Sequence, residues 1–251
     1  MTRYALLIEY DGGRFFGFQR QRDMISVQQF LEDTIAIFTK HPVIIHAAGR
    51  TDTGVHALGQ VAHFDTPCLL DPYKLKGFLN HYGRFVGVSV HKIAVVDDHF
   101  HARFSARERT YRYLVINQHA PSPLWEGRAL HMPFSLDHER MREAASFFIG
   151  HHNFDSFRSK HCQSSHGFRT LNNIDIQDHA PFLTVTVKSL SFLHNQIRIM
   201  MGSLLLVGQG KKEPLWIKHL LDNPDRTQSG PTAPPHGLYF EKVTFESDVF
   251  A

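Results

Sequence analysis

Strand-forming and helix-forming patterns alternate along this chain, twice over, and that alternation limits the folds open to it more than any other feature. Residues 4–10 are a short apolar run rich in strand formers, stopped by Asp11-Gly12-Gly13. Ser26 offers an N-cap with Gln29 as its capping-box partner, and Val27, Phe30, Leu31, Ile35 and Phe38 then recur at helical spacing up to about Lys40. Residues 43–47 and 60–64 read as strands, Asp71-Pro72 opens a second helix with proline at its first position, and 86–96 is again β-branched. The second half opens with a strand over 107–117, in which Tyr111, Tyr113 and Val115 alternate with Arg112, Leu114 and Ile116. Residues 135–149 are helical and end at Gly150, and 171–178 with 182–190 form a hairpin across His179-Ala180-Pro181. Residues 192–207 read as a nearly all-apolar helix with one charge, Arg198. A short helix over 214–221, a loop over 223–237 rich in Pro, Gly, Ser and Thr, and a strand over 238–245 complete the chain.

Strands and helices mixed in this way, with at least one hairpin, predict an α+β fold with a mostly antiparallel sheet. The natural break lies between residues 98 and 107, where no Pro/Ser linker occurs, so two halves sharing one sheet are expected, 1–104 and 105–251. Scaling of folded and unfolded surface gives about 30,000 Å² that can leave water, ample for a core without staples. With 42% apolar and 20% charged residues, disorder, collagen and coiled coil are excluded for the whole chain.

The net charge of +3 permits a phosphate-rich partner without requiring one. Cys68 and Cys162 are too few for a disulfide framework and read as reduced thiols of a cytosolic protein. No apolar run approaches a membrane span, and Glu9 and Asp11 come too early for a secretory signal, so a cytoplasmic location is expected. Nineteen histidines raise the question of a metal, at 161–166 or at His99-Phe100-His101. Structural zinc wants four ligands, usually with cysteine pairs, and Cys68 falls in the other half from Cys162. No metal is expected; scattered surface histidines, adding positive charge at mildly acid pH, are the better account.

The stretch Gly49-Arg50-Thr51-Asp52-Thr53-Gly54-Val55-His56-Ala57 lies between two strand patterns and is the candidate site. Residues two apart in an extended loop present to one side, so Arg50 and Asp52 could share a pocket. The same residues also suit an Asx-turn, with Asp52 bonding its own backbone and Gly54 at positive φ.

GRTDTGVHALGQVAHF resembles the signature of the bacterial tRNA pseudouridine synthases of the TruA type, which usually reads GRTDAGVHA around the family's essential aspartate. The resemblance runs almost end to end. YDGGRFFGFQRQ with SVQQFLE, FHARFSARERTYRY, HHNFDSFRS, FLHNQIRIMMGSLLLVG and TAPPHGLYF are similar to the family's other blocks, in the same order. Departures are Thr53 for Ala, Phe18 for Trp, Gln196 and Ile199 for Met and Asn, and Phe240 for Leu.

The resemblance implies two similar α/β-sandwich halves sharing a mostly antiparallel sheet, and an isomerase that acts on uridines 38 to 40 in the tRNA anticodon stem-loop. It implies a homodimer, and the reaction demands no redox or carrier cofactor. Asp52 is the implied catalytic residue; a carboxylate is anionic at neutral pH and can attack covalently or stabilise a glycosidic transition state. The resemblance further implies that Tyr111 stacks on the target base, that Leu238 is an apolar wall of the uracil pocket, and that Arg50 holds the displaced strand or a phosphate. Arg198 is the implied partner of Asp52; from the residues alone, a snorkelling arginine at the helix edge is equally open. Basic and aromatic residues also alternate at 14–20 and 103–112, a pattern suited to salt-dependent phosphate contacts.

Overall fold

The computed structural model describes residues 1–251. In chain order the elements are β1 (Thr2–Tyr10), α1 (Val27–Thr39), β2 (His46–Ala47), β3 (His56–Thr66), α2 (Pro72–Val86), β4 (Val88–Val96), β5 (Glu108–Asn117), β6 (Leu130–Met132), α3 (His138–Ser146), β7 (Gly150–Asn153), β8 (Phe168–His179), β9 (Phe182–Ser189), α4 (Gln196–Gly208), α5 (Leu215–Asp222) and β10 (Leu238–Thr244). The chain divides into two compact units, Met1–Arg109 with Tyr239–Ala251, and Thr110–Leu238. The cut therefore falls a few residues beyond the expected 104/105, and most of β10, expected with the second half, belongs to the first. The reason is pairing: β10 lies parallel to β3, Tyr239 opposite His56 and Phe240 opposite Ala57. β5 and β10 each have residues in both units, so the halves share strands.

In the first unit β1 is central, antiparallel to β3 from Thr2↔Thr66 to Tyr10↔Ala57 and antiparallel to β4. α1 begins where Ser26 Oγ accepts the Gln29 N–H at 3.2 Å, and it buries Val27, Leu31 and Ile35. Its apolar face also carries Glu32. That carboxylate is satisfied by Gln28 Nε2 (2.8 Å), the Ile45 N–H (3.0 Å) and Arg20 Nε (2.9 Å). The Ile45 bond explains why the expected strand over 43–47 shrinks to His46–Ala47: the Ile45 amide donates to Glu32 rather than to a neighbouring strand. α2 is capped by Asp71, whose Oδ1 accepts from Tyr73 N at 2.9 Å.

In the second unit β8 and β9 form the expected hairpin, His179 opposite Phe182, with β7 antiparallel on β8 and β6 parallel on β5. α3 is shorter than its pattern because Asp137, not Ser135, is the N-cap, accepting from Arg140 N at 3.0 Å. α4 is shorter too. Asn195 adopts φ 61°, a left-handed conformation that ends helical continuity, and the Gln196 side chain accepts from Leu193 N at 2.8 Å. Nearly all of α4 is buried. A helix apolar on every side must be covered on every side, and part of the cover is the loop before β10: Gly230 N donates to Ser203 Oγ at 3.0 Å, and Ala233 N donates to the Arg198 carbonyl at 3.0 Å.

One buried histidine in the first unit ties stability to pH. His63 Nδ1 accepts the Ala102 N–H at 3.2 Å, and its ring centroid lies 4.6 Å from that of His101 and 5.1 Å from that of His46. Burial pushes its pKa down to about 4; the His101, Arg3 and His46 charges add to this and Asp65 opposes it. The fold thus favours neutral His63, a contribution fully present above the ordinary histidine pKa of about 6.5 and lost as pH falls towards 4. His63→Asn keeps an acceptor oxygen and removes the titration. Urea unfolding from pH 7 to 4 should show a shallower stability loss in the variant than in the parent; parallel curves would exclude this role for His63.

Candidate active site

The Gly49–Ala57 loop joins β2 to β3, and its backbone is tied down residue by residue. Arg109, buried at 7% exposure, donates Nε and Nη2 to the Ala48 carbonyl at 2.9 and 2.8 Å and Nη2 to the Arg103 carbonyl at 2.7 Å. Fully buried Gln60 donates Nε2 to the Gly49 carbonyl at 2.8 Å. The Thr51 carbonyl accepts from Phe18 N at 3.1 Å, and Thr51 Oγ1 shares a 2.7 Å hydrogen bond with the Tyr10 hydroxyl. Val55 N donates to the Asp52 carbonyl at 3.1 Å, closing a turn in which Gly54 takes φ 80°. A glycine at that position is what a type II turn requires. Gly54 thus has the positive φ expected from the sequence, in a turn closed by the main chain of Asp52.

Beneath this loop runs the segment Phe15–Phe18. Gly17 has φ 83°, and a Cβ there would lie 2.8 Å from the Thr51 carbonyl oxygen and 3.3 Å from Thr53 N. The two backbones touch because no side chain stands between them. Burial pushes the Tyr10 phenol up to about 12, against the opposing bonds to Thr51 and Gln60, so it stays a neutral hydrogen-bonding group at any working pH. Each buried bond contributes about 0.5–1.5 kcal/mol net, and losing one partner costs about 1–3 kcal/mol. The outcome is a half-buried Asp52 with exposed Arg50 two residues before it, on a backbone with little freedom. His56, at the far end of the loop, is held by the Gly12 N–H to its Nδ1 (3.1 Å) and lies flat against Tyr239, ring centroids 4.9 Å apart.

The remaining sequence-predicted residues lie in the second unit. Tyr111 is 8% exposed and meets Phe192 edge-on at 5.2 Å. Tyr113, two residues further along β5, is fully buried; its hydroxyl donates to the Pro234 carbonyl at 2.8 Å, and burial raises its phenol well above the usual range, with the Arg198 charge opposing. Arg198 sits in the first turn of α4 rather than midway along a long helix. It is half-buried and gives Nε to the Ala233 carbonyl (2.7 Å) and Nη1 to Asn195 Oδ1 (2.8 Å). Leu238, 5% exposed, opens β10 directly after the loop that Tyr113 and Arg198 hold.

Arg109, Tyr10, Gln60 and Gly17 do not stand out in the sequence. Alternation along β5 carries a signal for Arg109, since it shares a face with Tyr111 and Tyr113. Exposed Asp97, Asp98 and His99 bring three metal-ligand atoms within 4.8 Å of one another; the histidines and cysteine of 161–166 form no such group.

A family model described as tRNA pseudouridine synthase matches residues 6–105 and 144–246. Proteins named tRNA pseudouridine synthase A are similar over 97% of this chain. That of Anaplasma phagocytophilum (strain HZ) is 43% identical over 245 residues, and this chain covers 100% of it. Those of Wolbachia pipientis subsp. Culex pipiens (strain wPip) and Ehrlichia canis (strain Jake) are each 41% identical over 244 residues, again with 100% of the relative covered.

Gly17→Ala should lower stability by about 1–3 kcal/mol in urea unfolding, through a strained φ and a clash with Thr51. Gly77→Ala on α2, where a Cβ meets nothing within 4 Å, should instead stabilise by about 0.5–1 kcal/mol. Equal effects at the two sites would refute the close-packed loop seat.

Proposed function

Because this chain belongs to the tRNA pseudouridine synthase family, we propose that it isomerises uridines 38 to 40 of the tRNA anticodon stem-loop, with Asp52 as the catalytic residue. The observation that carries the role of Asp52 is its setting: a carboxylate on a loop whose backbone is pinned at Ala48, Gly49, Thr51 and Asp52 itself. Positioning of this kind removes the entropy that a mobile loop would lose at each turnover.

Uridine and pseudouridine contain the same atoms. The C1′–N1 bond breaks, the base turns, a C1′–C5 bond forms, the C5 hydrogen leaves as a proton and N1 takes one up. The carboxylate of Asp52 acts on the everted nucleoside, as nucleophile or as the anion that stabilises positive charge at C1′. Turning the base out of its stack costs a few kcal/mol. Stacking on Tyr111 offsets part of that, at about 1–3 kcal/mol for an aromatic face, and Leu238 supplies an apolar wall. Arg198 contributes a positive charge to substrate binding. Arg50, exposed beside Asp52, holds a displaced phosphate or strand. Recognition rests on RNA shape and backbone, which suits several tRNAs sharing one arm. The enzyme acts in the cytoplasm as a homodimer; no helix is long and apolar enough to cross a membrane.

The test is release of tritium from tRNA labelled at uridine C5. The parent should release label stoichiometrically with pseudouridine at 38 to 40. Asp52→Asn should release none above background while binding tRNA within a few-fold of the parent. A parent that binds tRNA and releases no label would be a binding protein that has kept the fold without the chemistry. Arg50→Ala should slow single-turnover release; unchanged single-turnover kinetics would remove Arg50 from productive binding.

A further inference from the structure

The second unit has a recess of about 230 Å³ lined by Asp155, Arg158, Ser159, Lys160, Cys162 and Arg226. Its walls come from two segments some seventy residues apart, and a buried serine clasps them together. Ser156 Oγ accepts from Asp225 N at 2.8 Å and donates to the Leu220 carbonyl at 2.7 Å, and the Ser156 carbonyl accepts from Ser229 Oγ at 2.7 Å.

The guanidinium groups are set in place by neutral oxygens. Arg226 bonds Ser229 Oγ (2.9 Å), the Gly230 carbonyl (3.1 Å) and Thr232 Oγ1 (3.2 Å). Arg158 donates to the Ser164 carbonyl at 3.2 Å, and behind it Arg169 donates to Ser164 Oγ at 2.9 Å. The one carboxylate in the lining, Asp155, lies 2.8 Å from Arg158 Nε and is committed to it. Lys160 and Arg226 therefore add two positive charges to the wall that no carboxylate of the lining balances. Burial lowers the Arg169 pKa, with Cys162 opposing and Arg158 adding repulsion, and its Nε is buried without a hydrogen-bond partner.

Cations brought together in this way repel one another unless an anion joins them. Small-molecule sites are mostly apolar, and this recess has no aromatic or branched apolar wall on which a base could stack. Forked guanidinium groups beside a lysine match the oxygens of a phosphate. Resting on the RNA substrate proposed above, we infer that the Arg158–Lys160–Arg226 recess binds a backbone phosphate of the tRNA, contributing affinity that is independent of sequence. Such a contact positions the RNA and reads no base.

The experiment uses the full-length protein and unmodified tRNA transcripts of different sequence, with Lys160→Ala as the main variant because Lys160 is exposed and its removal leaves the clasp intact. Arg226→Gln is the second, and Lys74→Ala on the exposed face of α2 is the control. Lys160→Ala and Arg226→Gln should raise the tRNA Kd about three- to tenfold for every transcript. The slope of log K against log salt should become shallower by about one unit for each phosphate no longer engaged. Lys74→Ala should leave the tRNA Kd, the salt slope and single-turnover tritium release unchanged. In the RNA-free protein, inorganic phosphate should shift the amide resonances of residues 158–162, and Lys160→Ala should abolish the shifts.

An unchanged Kd and salt slope overturn the inference, as does an equal effect of Lys74→Ala. Phosphate shifts with an unmoved tRNA Kd identify a free phosphate compound as the occupant and also overturn it. Failure of the isomerase reading shows separately, as absent tritium release from the parent, and leaves the binding comparison intact.

Discussion

The hydrogen bond between the Tyr10 hydroxyl and Thr51 Oγ1, at 2.7 Å inside the first unit, is the interaction on which the candidate site depends. Loops between strands are ordinarily the mobile part of a domain. This one is not, because a tyrosine on the central strand reaches the residue immediately before Asp52, while Gln60 and Arg109 hold the carbonyls just upstream. The donors come from β1, β3 and β5, so the loop inherits the rigidity of the sheet. That rigidity needs the close approach at Gly17, where any side chain would hold Phe15–Phe18 away from Thr51. The loop is held by buried polar bonds rather than by apolar packing.

The second unit solves a different problem, how to keep a charge at the end of an apolar helix. A cation in the first turn opposes the helix dipole. Arg198 is nevertheless stable there, since its guanidinium faces the oxygens of Ala233 and Asn195. The same carbonyl-rich loop takes the Tyr113 hydroxyl. A buried tyrosine and a half-buried arginine thus hold the segment that leads into Leu238, and the loop over 223–237, unstructured by composition, is ordered by specific bonds.

How much of this is legible in the sequence depends on the range of the interaction. Caps at Ser26, Asp71 and the 179–182 turn are local chemistry, and their elements stand where the sequence places them. Asp52 and Arg50 can be found because the motif around them is contiguous. Elements are misjudged where one side chain or one backbone angle changes the outcome: Glu32 withdraws the Ile45 amide from a ladder, and the left-handed Asn195 cuts the helix pattern short. The parallel pairing of β10 with β3 joins residues far apart in the chain, which no period of apolar residues records. Tyr10, Gln60 and Gly17 escape for the same reason. A tyrosine in a strand looks the same whether it fills the core or holds a loop in place.

Charge follows the same logic of local pairing. A net charge of +3 on 251 residues gives little field at a distance, and at physiological salt that field is screened within about 8 Å. Affinity for a polyanion must then come from cations that are not already neutralised at close range. Several basic side chains are neutralised in that way: Arg3 by Asp65, Arg20 by Glu32 and Asp33, Arg107 by Glu246, Arg140 by Glu213, Arg142 by Glu139 and Lys218 by Asp222. The exposed pairs among these add little to stability, but each pair removes a cation from competition for phosphate. Arg226 and Arg169 differ in kind, because their hydrogen bonds go to neutral oxygens and leave their charge uncompensated. Selective pairing of this sort turns a nearly neutral surface into one with a few defined anchoring points. An enzyme that acts on tRNA gains register from such points, since a diffuse positive surface would bind any RNA in any register.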